Sequence, residues 1–261
     1  MSANVSVARE GAIATVTLSN PGKLNALTVA MWQALTRAMA ALSADDALRC
    51  VVLRGAGEQA FAAGADIAEF ATVRDNVEQG KRYHRELVYG ALEALDQCRH
   101  PKIAMIHGPC VGGGLEIACQ CDLRIAGAAA RFGVPINRLG FPIAYDELRA
   151  LLPVVGRAAA LEILIEGRVW SADEAYAKGL LSRVVPDASL EAETRAAAQR
   201  IAEGAPLVAR WHKRFVRRLT PQPAPLTEAE IEENFAYFNT EDYRIGYEAF
   251  IKKKKPKFVG R

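Results

Sequence analysis

The chain predicts an α/β protein that finishes in a helical region, and three observations carry that expectation. Short apolar runs of strand length alternate with longer stretches of helical periodicity as far as Val185. Beyond Pro186 the strand pattern stops and helical periodicity continues alone. Two glycine-containing segments each follow an apolar run, where the working loops of α/β folds gather.

Taken in order, Ala12, Ala14, Val16 and Leu18 alternate with their neighbours and stop at Asn20-Pro21-Gly22, a strand followed by a turn. Thr28 can cap the next helix, in which Met31, Trp32, Leu35, Met39 and Leu42 share one face. Val51-Val52-Leu53 is short and continuously apolar, as a strand buried on both faces must be. A long helix carrying Tyr83, Leu87, Ala91 and Leu95 ends near His100-Pro101 and yields to the strand Ile103 to Ile106. Gly112 to Cys119 reads as helix and Asp122 to Ala126 as strand. Ser171 and Glu174 frame a capping box closed by Gly179, with a last strand from Leu181 to Val185. Helices are expected near 189–203, 206–218, 226–239 and 242–252, and Thr220 to Pro225 forms a stiff proline-rich connector among them. In the second of these helices Trp211, Phe215 and Leu219 are expected to pack inward, a reading preferred to a basic groove for RNA.

With 261 residues, 51% hydrophobic and 24% charged, the chain can bury a core without disulfides, as one large domain or a core with an appendage. A net charge of +3 is too small for a nucleic-acid footprint spread over a whole domain, so anion binding should be local. Five scattered cysteines, mostly in apolar surroundings, read as buried thiols of a reducing compartment. The start MSANVSVARE has no secretory core, and no apolar run reaches membrane-spanning length, so a cytoplasmic location is expected. The four histidines are dispersed and suggest no metal site, while P-loop and G-x-S-x-G patterns are lacking.

The chemistry concentrates in Phe61-Ala62-Ala63-Gly64-Ala65-Asp66-Ile67 and Gly108-Pro109-Cys110-Val111-Gly112-Gly113-Gly114-Leu115-Glu116. Bare backbone lets N–H groups approach an oxygen closely, and the second segment also opens a helix whose dipole favours negative charge. Either segment alone equally serves a tight turn.

Together and in order, these segments resemble the crotonase, or enoyl-CoA hydratase/isomerase, superfamily over nearly the whole chain. Pro21 to Leu27 resembles its first CoA-contacting turn, Ala63 to Ile67 its first oxyanion segment, and Gly112 to Glu116 its second. Further likenesses are Cys121 to Ala126, Arg131-Phe132-Gly133, Gly167 to Gly179 and Phe250 to Phe258. The resemblance implies a crotonase-like (ClpP/crotonase) spiral of repeated strand-strand-helix units. It implies an α/β core over residues 1–195 and a helical C-terminal region over 196–261 that builds trimers, commonly paired into hexamers.

It further implies an acyl-CoA substrate and no separate cofactor, coenzyme A arriving as part of the substrate. The N–H groups of Ala65 and Gly113 would hold the thioester oxygen while an enolate forms, and Glu116 would move the proton. Lys23, Ala26, Ala63, Ala65, Asp66, Ile67, Ala68 and Gly113 match positions around the thioester and CoA, and Phe250 and Lys253 those that meet its adenine and phosphate. Enoyl-CoA hydration is the leading reaction. The departure is Phe132-Gly133-Val134-Pro135-Ile136, where family hydratases carry a second glutamate and this chain an aliphatic residue. Nearby, Ala144-Tyr145-Asp146-Glu147 replaces a glycine-rich helix start. Asp146 is a substitute acid or base if its turn faces inward; otherwise Asp146 and Glu147 merely favour a helix start. Isomerisation, decarboxylation or noncatalytic CoA or RNA binding stand as alternatives to hydration.

Overall fold

The computed structural model describes residues 2–220 and 225–259. Most of the expected proline-rich connector, residues 221–224, lies outside the described residues. The strands are β1 (Asn4–Glu10), β2 (Ile13–Ser19), β3 (Cys50–Gly55), β4 (Lys102–Ile106), β5 (Pro109–Val111), β6 (Leu123–Gly127), β7 (Arg131–Gly133), β8 (Val169–Ser171) and β9 (Arg183–Val185). Six make one sheet in the order β1-β2-β3-β4-β6-β9, in which the β1–β2 hairpin is antiparallel and every later pairing parallel. The other three form a small sheet, β5-β7-β8.

Helix α1 (Val29–Ala44) starts at Thr28, whose hydroxyl accepts from Met31 N–H at 3.2 Å. After β3 come α2 (Phe70–Val73), α3 (Val77–Arg82), a π-helical turn at Tyr83–Val88 and α4 (Tyr89–Gln97). Helix α5 (Gly113–Cys119) follows β5, and α6 (Tyr145–Ile165) is broken at Gly156, where φ is 73°. Then come α7 (Ala172–Ala177), α8 (Leu190–Glu203), α9 (Pro206–Leu219), α10 (Glu228–Phe235) and α11 (Glu241–Ile251).

The period-two alternation of a strand explains how the large sheet is covered. Ala14, Val16 and Leu18 of β2 and Val51 and Leu53 of β3 face Met31, Trp32, Leu35 and Met39 of α1 in the main core. The alternate residues Cys50, Val52, Ile103, Met105 and Ile125 pack on Leu190, Ala197 and Ala198 of α8, which continues past residue 195 against the sheet. Central strands therefore carry apolar residues on both faces. Strand β1 was illegible because its edge residues are mostly exposed, and β5, β7 and β8 because three residues carry no period.

Helix α9 reverses one expectation. Trp211, Phe215 and Leu219 do not pack inward but are 45%, 51% and 81% exposed. The helix is held by its cations instead. Arg210 donates to the carbonyl of Leu48 at 3.3 Å, Lys213 to His100 O and Asp122 at 2.7 Å, and Arg217 pairs with Asp96. Ion pairs and carbonyls on the body outcompete burial of a narrow apolar stripe, leaving that stripe facing outward. No described helix is long and apolar enough to cross a membrane.

Met39 is fully buried between α1 and the sheet. Met39→Ala should cost about 2–5 kcal/mol of unfolding free energy in urea titration, the range for truncating a core side chain.

Candidate active site

The turn after β2 places two non-glycine residues, Leu24 and Asn25, at positive φ. The Asn25 side chain compensates, donating to Ala60 O at 2.9 Å and accepting from Asn20 N–H at 3.2 Å. It thereby ties the turn to the segment that follows β3. Leu27 then pairs with Ala65 as an isolated parallel bridge, its N–H donating to Gly64 O and its carbonyl accepting from Asp66 N–H, both at 2.8 Å. In parallel pairing the middle residue directs its own N–H away from that partner, so Ala65 N–H faces the other side.

On that other side runs the segment leading into α5. Val111 N–H donates to Ala62 O at 3.0 Å, and Ala62 bridges Cys110. Gly112 turns the chain at φ 50°, a conformation side chains resist, and Gly113 begins the helix with an N–H that no helical carbonyl can reach. A Cβ on Gly114 would lie 2.5 Å from Ala62 O. The backbones touch because no side chain stands between them. The structure thus brings Ala65 and Gly113 into adjoining loops, each with an N–H free of backbone partners among the described residues.

The residues expected around CoA gather on the same loops. Ala26 and Ala63 are tied to the Lys23 turn, Ala26 N–H donating to Lys23 O at 2.9 Å and Ala63 N–H to Leu24 O at 3.0 Å. Lys23 Nζ reaches Asp66 Oδ2 at 2.7 Å, and Asp66 also caps the 3₁₀ turn Ile67–Glu69 by accepting from Ala68 N–H. Phe250 and Lys253 stand apart, at the half-exposed end of α11.

Glu116 lies in the first turn of α5 as one of six consecutive buried residues, Gly114 to Cys119. Its carboxyl is held well above the usual carboxylate range, first by burial and then by repulsion from Glu147, while Arg74 opposes the shift. Glu147, in the first turn of α6, is also buried. One of its oxygens meets Nδ1 of buried His84, and the other accepts from Ala144 N–H at 3.4 Å. Burial lowers the His84 pKa below the ordinary imidazole value, against the pull of Glu147. Arg74 supplies the fixed cation. Its guanidinium lies 4.5 Å from the Phe70 ring centroid and 4.1 Å from that of Phe141, and donates to the Tyr237 hydroxyl at 2.8 Å.

Of the neighbours Asp146 and Glu147, then, Glu147 enters the dry interior with Glu116. Asp146 lines an open groove of about 950 Å³ with Lys81, Arg82, Arg85 and Arg149, a groove that none of Ala65, Gly113 and Glu116 lines. Ile136 packs against both the main core and the aromatic cluster of Phe70, Phe141 and Phe235, with an aliphatic side chain that cannot exchange protons. Arg74 was not singled out from sequence, His84 was read only as one of four dispersed histidines, and Glu147 as a residue that favours a helix start. The signal available was the capping position of Glu147, three residues after Ala144, which cannot itself cap.

A glutamate whose folded pKa is raised stabilises the fold below its unfolded pKa and loses that contribution as pH rises through the folded value. Glu116→Gln removes this dependence. The variant's stability relative to the parent should therefore grow as pH rises from 5 to 8, above the usual carboxylate range. Melting curves with an unchanged difference across that window would contradict the shift.

Comparison with known proteins bears on the whole chain. The family model of enoyl-CoA hydratase/isomerase matches residues 8–261. The short-chain-enoyl-CoA hydratase of Clostridium acetobutylicum is 33% identical over 255 residues, 97% of this chain and 96% of that protein. A crystal structure of an enoyl-CoA hydratase/carnithine racemase from Magnetospirillum magneticum has 51% identity and a TM-score of 0.82, covering 98% of this chain and 96% of the other. Methylmalonyl-CoA decarboxylase complexed with 2S-carboxypropyl CoA superposes with a TM-score of 0.88 at 29% identity, covering 98% of both chains. Two glycine-lined loops in backbone contact, a buried glutamate at the head of α5 and these full-length matches lead to one conclusion: the chain is an acyl-CoA enzyme that belongs to the enoyl-CoA hydratase/isomerase (crotonase) family.

Proposed function

We propose that this enzyme adds water across the double bond of a 2-enoyl-CoA to give the 3-hydroxyacyl-CoA. The observation that carries the reading is the approach of Ala65 and Gly113, with free N–H groups, beside buried Glu116. Attack of water on C3 drives electron density onto the thioester oxygen. Two fixed N–H donors lower the barrier there by about 3 kcal/mol each. Glu116, kept protonated by its surroundings, delivers its proton to C2.

Lys23, Ala26, Ala63, Asp66, Ile67 and Ala68 form the rim that takes the CoA chain near the thioester. Phe250 and Lys253 meet its adenine and phosphate from a neighbouring subunit, since α11 leaves them open to solvent in the single chain. The outward apolar face of α9 supports a homotrimer, alone or paired into a hexamer, because several exposed large side chains along one helix are a self-association surface. A second reading, a one-carboxylate isomerisation or decarboxylation, is favoured by Ile136 and by the likeness to methylmalonyl-CoA decarboxylase.

Loss of enoyl thioester absorbance, followed with a panel of 2-enoyl-CoA substrates, separates the readings. Hydration predicts turnover that Glu116→Gln lowers by about 10²–10⁴-fold. Turnover of only 3-enoyl or carboxylated acyl-CoA substrates would favour the second reading. For the assembly, Phe215→Glu should shift the sedimenting species toward monomer; an unchanged trimer or hexamer would remove α9 from the contact.

A further inference from the structure

We infer that Glu147, oriented by His84, is the second proton-transfer residue of this enzyme and takes the proton of the attacking water. The inference rests on the hydration reading and supplies the group that Ile136 lacks.

Four separate elements bring charged or titratable groups into one apolar interior: Arg74 after α2, His84 from the π-helical turn, Glu116 from α5 and Glu147 from α6. Isolated charges there would be costly, so their number and signs carry meaning. One arginine balances one carboxylate. Burial and Glu147 together push the Glu116 carboxyl up, and both oxygens of Glu147 are met by nitrogens, His84 Nδ1 and Ala144 N–H. Two buried carboxyl groups in unlike surroundings, one beside a histidine and one without such a partner, are an arrangement that acid–base addition can use. The π-helical turn buries Tyr83 and His84 together, a local irregularity of the kind often found at functional sites.

The steps balance. Glu147 carboxylate accepts a proton from water as the water oxygen bonds to C3; the C2=C3 pair moves to the thioester oxygen as an enolate. The enolate then collapses and C2 takes the proton of Glu116. Water has been added, leaving Glu147 protonated and Glu116 ionised, and transfer of one proton from the former to the latter restores the site. His84 is a positioning residue: it holds Glu147 and touches no substrate.

The experiment pairs hydration of a short 2-enoyl-CoA with exchange of the C2 protons of saturated butyryl-CoA in deuterated water, a half-reaction that needs Glu116 but no attacking water. Glu147→Gln is expected to lower kcat for hydration about 100-fold or more, with KM within about threefold, while C2 exchange persists. Glu116→Gln should lose both. His84→Gln should lower hydration alone, and less than Glu147→Gln does. If Glu147→Gln fails to fold, Glu147→Asp decides by the same split between hydration and exchange. Hydration by either Glu147 variant within threefold of the parent, or a fall in exchange equal to the fall in hydration, overturns the inference. A parent enzyme that exchanges C2 protons yet hydrates nothing overturns the hydration reading itself, and the two failures are thereby told apart.

Discussion

Backbone contact between the segment 60–66 and the segment 109–114 governs the rest of the molecule. Two chains this close leave no room for a side chain, and Gly114 marks the point of nearest approach to Ala62 O. Each segment is secured on its outer flank as well. The Asn25 side chain and the Leu27 bridge hold the first, while Gly112 N–H donates to Gly133 O at 2.9 Å and so joins the second to β7. Hydrogen bonds that would close a longer sheet are used to fix the positions of two amides. The parallel strands beneath supply rigidity, because both faces of the large sheet are buried.

The second constraint is electrostatic. Glu116, Glu147, His84 and Arg74 are buried within a largely apolar interior, where each charge interacts more strongly than it would in water. The C-terminal helices make that interior dry. Phe235 lies 5.8 Å from the His84 ring, Tyr237 bonds Arg74, and Asn234 bonds both Tyr145 N–H and Ile143 O at the head of α6. The α10 region is thus a roof over the carboxylates. Stability and reactivity oppose each other here, since the burial that raises the Glu116 pKa also makes its ionised form costly.

Helix α9 applies the same physics with the opposite result. Its cations find carboxylates and carbonyls on the body, while Phe215, Val216 and Leu219 stay more than half exposed. Lys213 is drawn so far from solvent, and so near Lys102, that its pKa falls to about 8. A helix attached by its polar face leaves its apolar face exposed.

The sequence by itself determined the order of the strands β2, β3, β4, β6 and β9 and of the longer helices, the cap at Thr28 and the two glycine segments, because each depends on neighbours a few residues away. Short-range periodicity also placed Gly112 to Cys119 as a helix with Glu116 in its first turn. Only the tertiary structure decided that Glu147 rather than Asp146 accompanies Glu116, since adjacent residues at a helix start differ by about 100° in direction. It likewise decided that Arg74 and His84 face inward and that α9 turns its aromatic residues out. Those outcomes depend on which distant partner offers a hydrogen bond or a counter-charge, and such partners come from segments tens of residues apart.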